Sequence, residues 1–196
     1  MKTTRLEAFS DGVLAIIITI MVLELKAPHE PGLAALRPLL PVILSYVLSF
    51  VYIAIYWNNH HHMLQAAKGV SGAVLWANMH LLFWLSLVPF VTGWMGETDF
   101  ASIPTAMYGV VLLMAAIAYW LLQWTILAKE GRRSVLRRAL GGDIKGKVSP
   151  LLYLIAIPSA FVNQWISGAI YAGVALMWLI PDPRIERAMP DEEHPT

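Results

Sequence analysis

The hydrophobic positions of the chain form long blocks, and short polar segments rich in Pro, Gly or charged residues separate these blocks. A membrane-spanning helix needs about 20 mostly apolar residues, because the hydrocarbon core of a bilayer is about 30 Å thick. The pattern therefore predicts an all-α, polytopic membrane protein. Its six transmembrane helices are expected at about 6–25, 39–57, 70–92, 104–128, 148–162 and 164–180.

The last two helices share one long apolar stretch, and local signals divide it. Residues 148–180 are too many for one span and few for two, and Asn163-Gln164 offers a hairpin tip between them. Pro158 is expected to kink the fifth helix, because proline removes a backbone donor. We predict one six-helix transmembrane domain over 1–181 and a disordered, polar and Pro-rich cytoplasmic tail at 182–196.

The composition supports a membrane setting and removes several classes of function. Hydrophobic residues fill 58% of the 196 positions and charged residues only 14%, whereas soluble domains have about 25% charged residues. The absence of Cys excludes disulfides, thiolate catalysis and Cys-based metal centres. A net charge of +1 gives no support for a nucleic-acid partner.

The basic residues predict an orientation in the membrane. Of the 14 Lys and Arg residues, 12 lie on the side of the predicted helices that holds both termini, and only Lys26 and Arg37 lie on the other. Cytoplasmic loops are enriched in Lys and Arg. We therefore expect a multi-pass protein of the cell (inner or plasma) membrane with both termini in the cytoplasm.

The first predicted helix is more polar than a membrane span usually tolerates. An ionised residue at the centre of a span costs at least about 2.5 kcal/mol on insertion scales. At about 100° per residue, Asp11 points away from one broad face, and Ser10 also lies off that face. The face contains Arg5, Phe9, Gly12, Ile16, Thr19, Ile20 and Leu23.

Asp11 needs a partner or water, because its short side chain cannot reach the membrane surface. The second helix ends on the same side with Asn58 to His62, and Asn78 lies one to two turns into the third. We expect a cluster of Asp11, a histidine of the second helix and Asn78. Two interpretations stay open for it: a gate or scaffold beneath a pore, or polar contacts that only fix helix packing. A metal site is less favoured, because consecutive helical residues point about 100° apart and cannot meet at one ion.

These residues resemble the signature of a known family. The pattern of Arg5, Phe9-Ser10-Asp11-Gly12-Val13, Ala15-Ile16, Thr19 and Leu23-Glu24-Leu25 is similar to the first helix of the bacterial transmembrane protein 175 family. Tyr56 to His61 resembles the second motif of that family, and Asn78 with Leu87 to Phe90 resembles its third helix. The six-span plan and the length extend the resemblance over the whole chain.

The resemblance implies a potassium-permeable cation channel, built as a homotetramer whose first helices line a central pore in the lipid bilayer. It places Ile16 at the main hydrophobic constriction, Ile20 and Leu23 in further apolar layers, and Thr19 at the selectivity position. No cofactor is implied beyond the permeating monovalent cation. The structural polar network is assigned to Arg5, Phe9, Ser10, Asp11, Gly12, His60, His61 and Asn78.

Two positions depart from the family pattern, and one residue has two interpretations. His62 stands where the family often has Arg, and His80 stands where we expect an apolar residue. Glu24 is predicted at the outer mouth, either raising the local cation concentration or forming an ion pair with Lys26. The chain also has no Thr-Val-Gly-Tyr-Gly filter, which excludes selectivity by stacked carbonyl rings.

Three other functions remain as alternatives. A proton-coupled secondary transporter or proton pathway would use Asp11, Glu24 and several His residues. A membrane enzyme would have only Asp11 and the histidines His60 to His62 as candidate groups, without an acyl- or phosphoryl-transfer motif. A non-conducting scaffold is compatible with the composition alone. We therefore expect a channel and not an enzyme.

Overall fold

The computed structural model describes residues 3–65, 67, 69–130 and 144–179, and these ranges are helical apart from their connections. A short 3₁₀ helix at Leu33–Leu39 precedes the second helix. The predicted all-α architecture is confirmed. The helices are α1 (Thr3–Leu23), α2 (Leu40–Gln65), α3 (Gly72–Ser86), α4 (Val88–Glu97), α5 (Ser102–Glu130), α6 (Ile144–Ser159) and α7 (Gln164–Leu179).

These seven helices correspond to the six predicted segments, because α3 and α4 are two parts of one apolar segment interrupted at Leu87. Pro89 is the second residue of α4; it lacks a backbone N–H and its ring clashes with the preceding turn, so the helix breaks there. Four segments in the described ranges are long and apolar enough to cross a membrane: Thr3–Leu23, Leu33–Gln65, Gly72–Glu97 and Ser102–Ala128. The helices α6 and α7 are shorter, with 16 residues each.

The helix boundaries differ from the sequence prediction mainly at the membrane surfaces. The helix α2 continues to Gln65, past the predicted end at position 57, so the histidines lie on helical turns. Hydropathy marks the part of a helix inside the bilayer, whereas backbone hydrogen bonding continues into the headgroup region. The predicted hairpin tip is present, and the Asn163 side-chain oxygen accepts a hydrogen bond from the Trp165 backbone N–H at 2.9 Å. The predicted tail at 182–196 lies outside the described residues.

A buried group of hydroxyl side chains holds α2, α4, α5 and α7 together. We call Ser49, Tyr52, Thr92, Tyr108 and Tyr171 the tyrosine cluster. The Ser49 hydroxyl lies 2.6 Å from the Thr92 hydroxyl and 3.0 Å from the Tyr108 hydroxyl. The Tyr52 hydroxyl donates to the Tyr171 carbonyl at 2.7 Å. Because the bilayer core contains no water to satisfy such groups, they find their partners between helices.

Candidate functional site: the exposed face of α1 and its buried anchor

The helix α1 has two faces that differ in what they contact within the chain. The buried face consists of Leu6, Ser10, Leu14, Ile17 and Met21, which pack into the body of the protein. On the opposite side Ile16 is 60% exposed, Ile20 is 43% exposed and Leu23 is 74% exposed. These three bulky apolar side chains therefore have few partners in the single chain.

The hydroxyl of Thr19 lies exposed on the same side as these apolar residues. It donates its proton to the Ala15 carbonyl at 2.8 Å, one turn earlier in α1. The oxygen lone pairs of Thr19 therefore remain available to accept hydrogen bonds or to coordinate a cation.

Acidic residues lie near the C-terminal end of α1, where an open groove of about 680 Å³ separates it from α4. Ile16, Ile20, Phe90 and Trp94 line the groove, together with Glu24 and Glu97. The Lys26 ammonium lies 3.7 Å from a carboxylate oxygen of Glu97, so Glu97 and not Glu24 is the partner of this lysine. The expected ion pair of Glu24 with Lys26 is thus replaced by a pair between the α1–α2 connection and α4.

The N-terminal half of α1 is held by a chain of buried hydrogen bonds. The Asn78 amide donates to the Ser10 hydroxyl at 3.0 Å, and Ser10 donates to the Leu6 carbonyl at 2.8 Å. The His60 Nε2 lies 2.7 Å from the Asn78 side-chain oxygen. This oxygen can only accept, so the neutral His60 ring has its proton on Nε2. The buried Nδ1 of His60 has no hydrogen-bond partner within the described ranges.

A second layer of contacts joins α1 to α2 nearer the surface. The Trp57 indole N–H donates to Asp11 at 3.0 Å, and His61 Nδ1 lies 2.6 Å from a carboxylate oxygen of Glu7. The rings of Trp57 and His61 are stacked with their centroids 5.9 Å apart. We call this layer, together with Ser10, His60 and Asn78, the α1 network.

The α1 network differs from the predicted cluster in two respects. Asp11 contacts Trp57 and does not join Asn78, whose amide reaches the neighbouring Ser10 instead. Glu7 is an additional member that sequence reasoning missed. Its signal was the matched four-residue spacing of Glu7 and Asp11 on α1 and of Trp57 and His61 on α2, which places two pairs at successive turns of facing helices.

Three residues assigned to the network by resemblance lie elsewhere. Arg5, Phe9 and Gly12 are exposed on the apolar side of α1, where the helical wheel placed them, and their assigned roles stay predictions.

His80 accepts a hydrogen bond from the Trp84 indole N–H at 3.0 Å, so this unexpected polar residue has a partner one turn along α3. Within the part of the chain that the structure describes, no group of three or more His, Asp or Glu residues could hold a metal ion.

Comparison with known proteins places these features in a family. The chain is 52% identical over 189 residues to a potassium channel of Chryseobacterium sp. (strain P1-3), and the match covers 96% of this chain and 98% of that protein. This chain belongs to the TMEM175 family. The family model described as endosomal/lysosomal potassium channel TMEM175 matches residues 5–89, which include α1, the α1 network and the α3–α4 break.

Two further proteins are similar in sequence to nearly the whole chain, and for one of them the structure is known. A potassium channel of Streptomyces collinus is 32% identical over 211 residues, covering 96% of this chain and 98% of that protein. The fold matches the crystal structure of a lysosomal potassium-selective channel TMEM175 homolog from Chamaesiphon minutus with a TM-score of 0.80 and 29% identity. That match covers 91% of this chain and 96% of the other. TMEM175 proteins form a channel family, so the protein is a multi-pass membrane protein and not an enzyme.

Proposed function

We propose that this TMEM175 protein is a potassium-permeable cation channel, in which four copies of the chain surround a pore lined by α1. The proposal is supported by the relatives named potassium channels. The observation that carries it is the exposed side of α1, where Ile16, Ile20 and Leu23 protrude although the opposite side is packed. In a membrane protein with an anchored α1, such a side is suited to face other copies and a central pathway.

The constriction is formed by Ile16 in this proposal. Four isoleucine side chains around one axis exclude water when the helices are close, and an apolar ring of this kind stops ions by dewetting. An outward tilt of α1 widens the ring and wets it. Ile20 and Leu23 add further apolar rings toward the outer end, and the exposure of all three residues in the single chain is consistent with this arrangement.

Thr19 provides the polar group closest to the constriction. Its hydroxyl proton is committed to the Ala15 carbonyl, so its lone pairs can replace part of the hydration shell of a cation. We expect modest preference for potassium over sodium, because single hydroxyls are less exacting than stacked carbonyl rings. Glu24, exposed just after α1, attracts cations to the outer mouth.

The α1 network has a positioning role in this mechanism. Ser10, Asn78 and His60 bond α1 to α3 and α2 on the side away from the pore. Asp11 accepts a hydrogen bond from the Trp57 indole on α2, so we propose that it anchors the pore helix and does not bind the permeating ion. The asymmetry of Lys and Arg supports the cytoplasmic placement of this end and of both termini.

The decisive experiment changes the proposed constriction. In purified protein reconstituted into vesicles, Ile16→Asn should raise potassium flux, because a polar ring keeps the narrow point wet. The matched control is Val22→Asn, which places the same amide at an exposed position of α1. Val22 points about 120° away from Ile16 around the helix axis. Unchanged flux in Ile16→Asn, or an equal rise in both variants, contradicts the assignment.

Two companion measurements test the rest of the proposal. The mass of the purified oligomer in detergent should correspond to four chains, and a dimer or monomer with full activity would exclude the tetrameric pore. Flux measured with potassium, sodium and a large organic cation should rank in that order. Flux that saturates at low turnover and follows an imposed proton gradient would instead indicate the proton-coupled transporter.

A further inference from the structure

A second cavity lies on the opposite side of α2 from the α1 network. It has a volume of about 180 Å³ and lies between α2, α5, α6 and α7. Its lining includes Tyr56, Tyr119, Trp120, Gln123, Lys147 and Tyr153. The cavity is therefore aromatic over much of its wall, with a few polar groups and one lysine. Such a combination is typical of a binding site and not of an ordinary packing gap.

Most polar groups around this cavity are already satisfied by the protein. The Ser149 hydroxyl accepts from the Trp178 indole N–H at 2.8 Å and donates to the Lys145 carbonyl at 2.8 Å. The Asn59 amide donates to the Ile55 carbonyl at 2.8 Å. These bonds use the Ser149 hydroxyl as both donor and acceptor and one amide donor of Asn59.

Gln123 is different. Its side chain is only 9% exposed and lines the cavity, and the small exposed part of its amide faces this open space, since Gln123 is not among the fully buried atoms without a partner in the described ranges. An amide that lines a cavity takes its hydrogen bonds from whatever fills that cavity, because a buried polar group left without a partner is costly. A molecule that enters the cavity and offers a carbonyl oxygen would satisfy the two amide donors of Gln123.

The cavity also has a cation and an interfacial aromatic residue at its edge. Lys147 is exposed in the first turn of α6, and Trp120 is 61% exposed on α5. Basic pockets between transmembrane helices on the cytoplasmic side bind the head groups of anionic lipids. Trp side chains prefer the boundary between headgroups and acyl chains.

We propose that this cavity binds the glycerol-ester region of an anionic phospholipid. The Gln123 amide donates to an ester carbonyl, the Lys147 ammonium pairs with the phosphate, and the acyl chain leaves along Trp120 into the bilayer. An apolar cavity of about 150 Å³ is large enough for benzene, so this one holds a segment of a lipid and not a whole molecule. The leaflet follows from the proposed orientation, but lipid binding itself does not depend on ion conduction.

Lipid retention by the purified full-length oligomer tests the site directly. Native mass spectrometry during a titration with phosphatidylglycerol should show specific binding, and Gln123→Leu should weaken it about fivefold through the lost hydrogen bond. Lys147→Ala should weaken it by a similar factor of about five. The control is Lys145→Ala, which removes a neighbouring charge of α6 outside the cavity lining and should leave the affinity unchanged.

Three outcomes overturn the proposal, provided that the variants keep the oligomer mass and unfolding temperature of the parent. The first is phosphatidylcholine binding as tightly as phosphatidylglycerol. The second is equal weakening by Lys145→Ala and Lys147→Ala. The third is displacement of the lipid by soluble glycerol phosphate, which would identify an anion site that needs no lipid. The proposal is supported if phosphatidylglycerol stays bound in the presence of glycerol phosphate and its binding weakens in both Gln123→Leu and Lys147→Ala. This holds even if the protein shows no potassium flux.

Discussion

The α1 network and the tyrosine cluster both join helices through polar side chains, but they connect different parts of the protein. The network contains ionisable side chains, Glu7, Asp11 and two histidines, and holds a helix whose other side is exposed. The tyrosine cluster contains only hydroxyl groups and joins helices that are packed on several sides. Polar contacts between helices can therefore have two uses. In the α1 network they fix the position of one helix, and in the tyrosine cluster they hold several helices together.

This contrast leads to different expectations for conduction. Loosening the network releases the proposed pore helix, and we therefore expect flux to change together with stability. Loosening the tyrosine cluster weakens the body of each subunit while α1 keeps its contacts. We expect stability to fall there while the flux of each folded channel stays the same.

The largest effect is expected for Asn78→Ala. This change removes two hydrogen bonds, leaving the buried His60 Nε2 without a partner and Ser10 with only its bond to the Leu6 carbonyl, so the free energy of unfolding should fall by roughly 2–4 kcal/mol. Unfolding in detergent measures the loss, and vesicle flux should change in the same variant. Asn58→Ala is the control, because Asn58 is an exposed amide on α2. Equal losses in the two variants would show that the network is not an anchor.

The network was largely predictable because its residues lie close together in short sequence patterns. Counting turns from helix ends placed a histidine of the second helix beside Asn78, the family resemblance added Ser10 and named His60, and the structure brings these three together. The partner of Asp11 was not predicted, because depth alone does not decide which of several polar neighbours a rotated helix presents. Trp57 reaches Asp11 only through the register of α2 against α1.

The tyrosine cluster could not be predicted from patterns of this kind. Tyr52 donates to the carbonyl of Tyr171, 119 residues further along the chain, and no local spacing encodes that contact. The order of the apolar segments followed from hydropathy, because the bilayer requires apolar length. Their mutual packing depends on individual shapes, such as the missing side chain of Gly109 beside the Tyr171 hydroxyl.

Gly109→Ala should have the next largest effect, and only on stability. A Cβ atom at this position would collide with the Tyr171 hydroxyl and lie 3.0 Å from a side-chain carbon of Ile157. Tyr171 cannot turn away freely, because its hydroxyl donates to the Thr105 carbonyl at 3.1 Å. Overpacking of this kind costs about 1–3 kcal/mol. We expect that loss in detergent unfolding and an unchanged flux per folded channel.

Gly173→Ala provides the matched control for this substitution. A Cβ atom at Gly173 would meet no atom within 4 Å, although the residue also lies in α7, close to Tyr171. The variant should unfold like the parent protein. If Gly109→Ala changed the flux while its stability stayed normal, packing around the tyrosine cluster would affect conduction. That result would contradict the separate roles of the tyrosine cluster and the α1 network.

The smallest effect is expected for Tyr108→Phe, which deletes one hydroxyl and no volume of the ring. Ser49 loses its 3.0 Å bond to Tyr108 but keeps its 2.6 Å bond to Thr92, so no buried hydroxyl is left without a partner. Hydrogen bonds between membrane helices average about 0.6 kcal/mol, and the unfolding free energy should fall by about that amount. A loss as large as that of Asn78→Ala, or any change in flux, would mean that the tyrosine cluster also positions α1, and the two regions would then act as one.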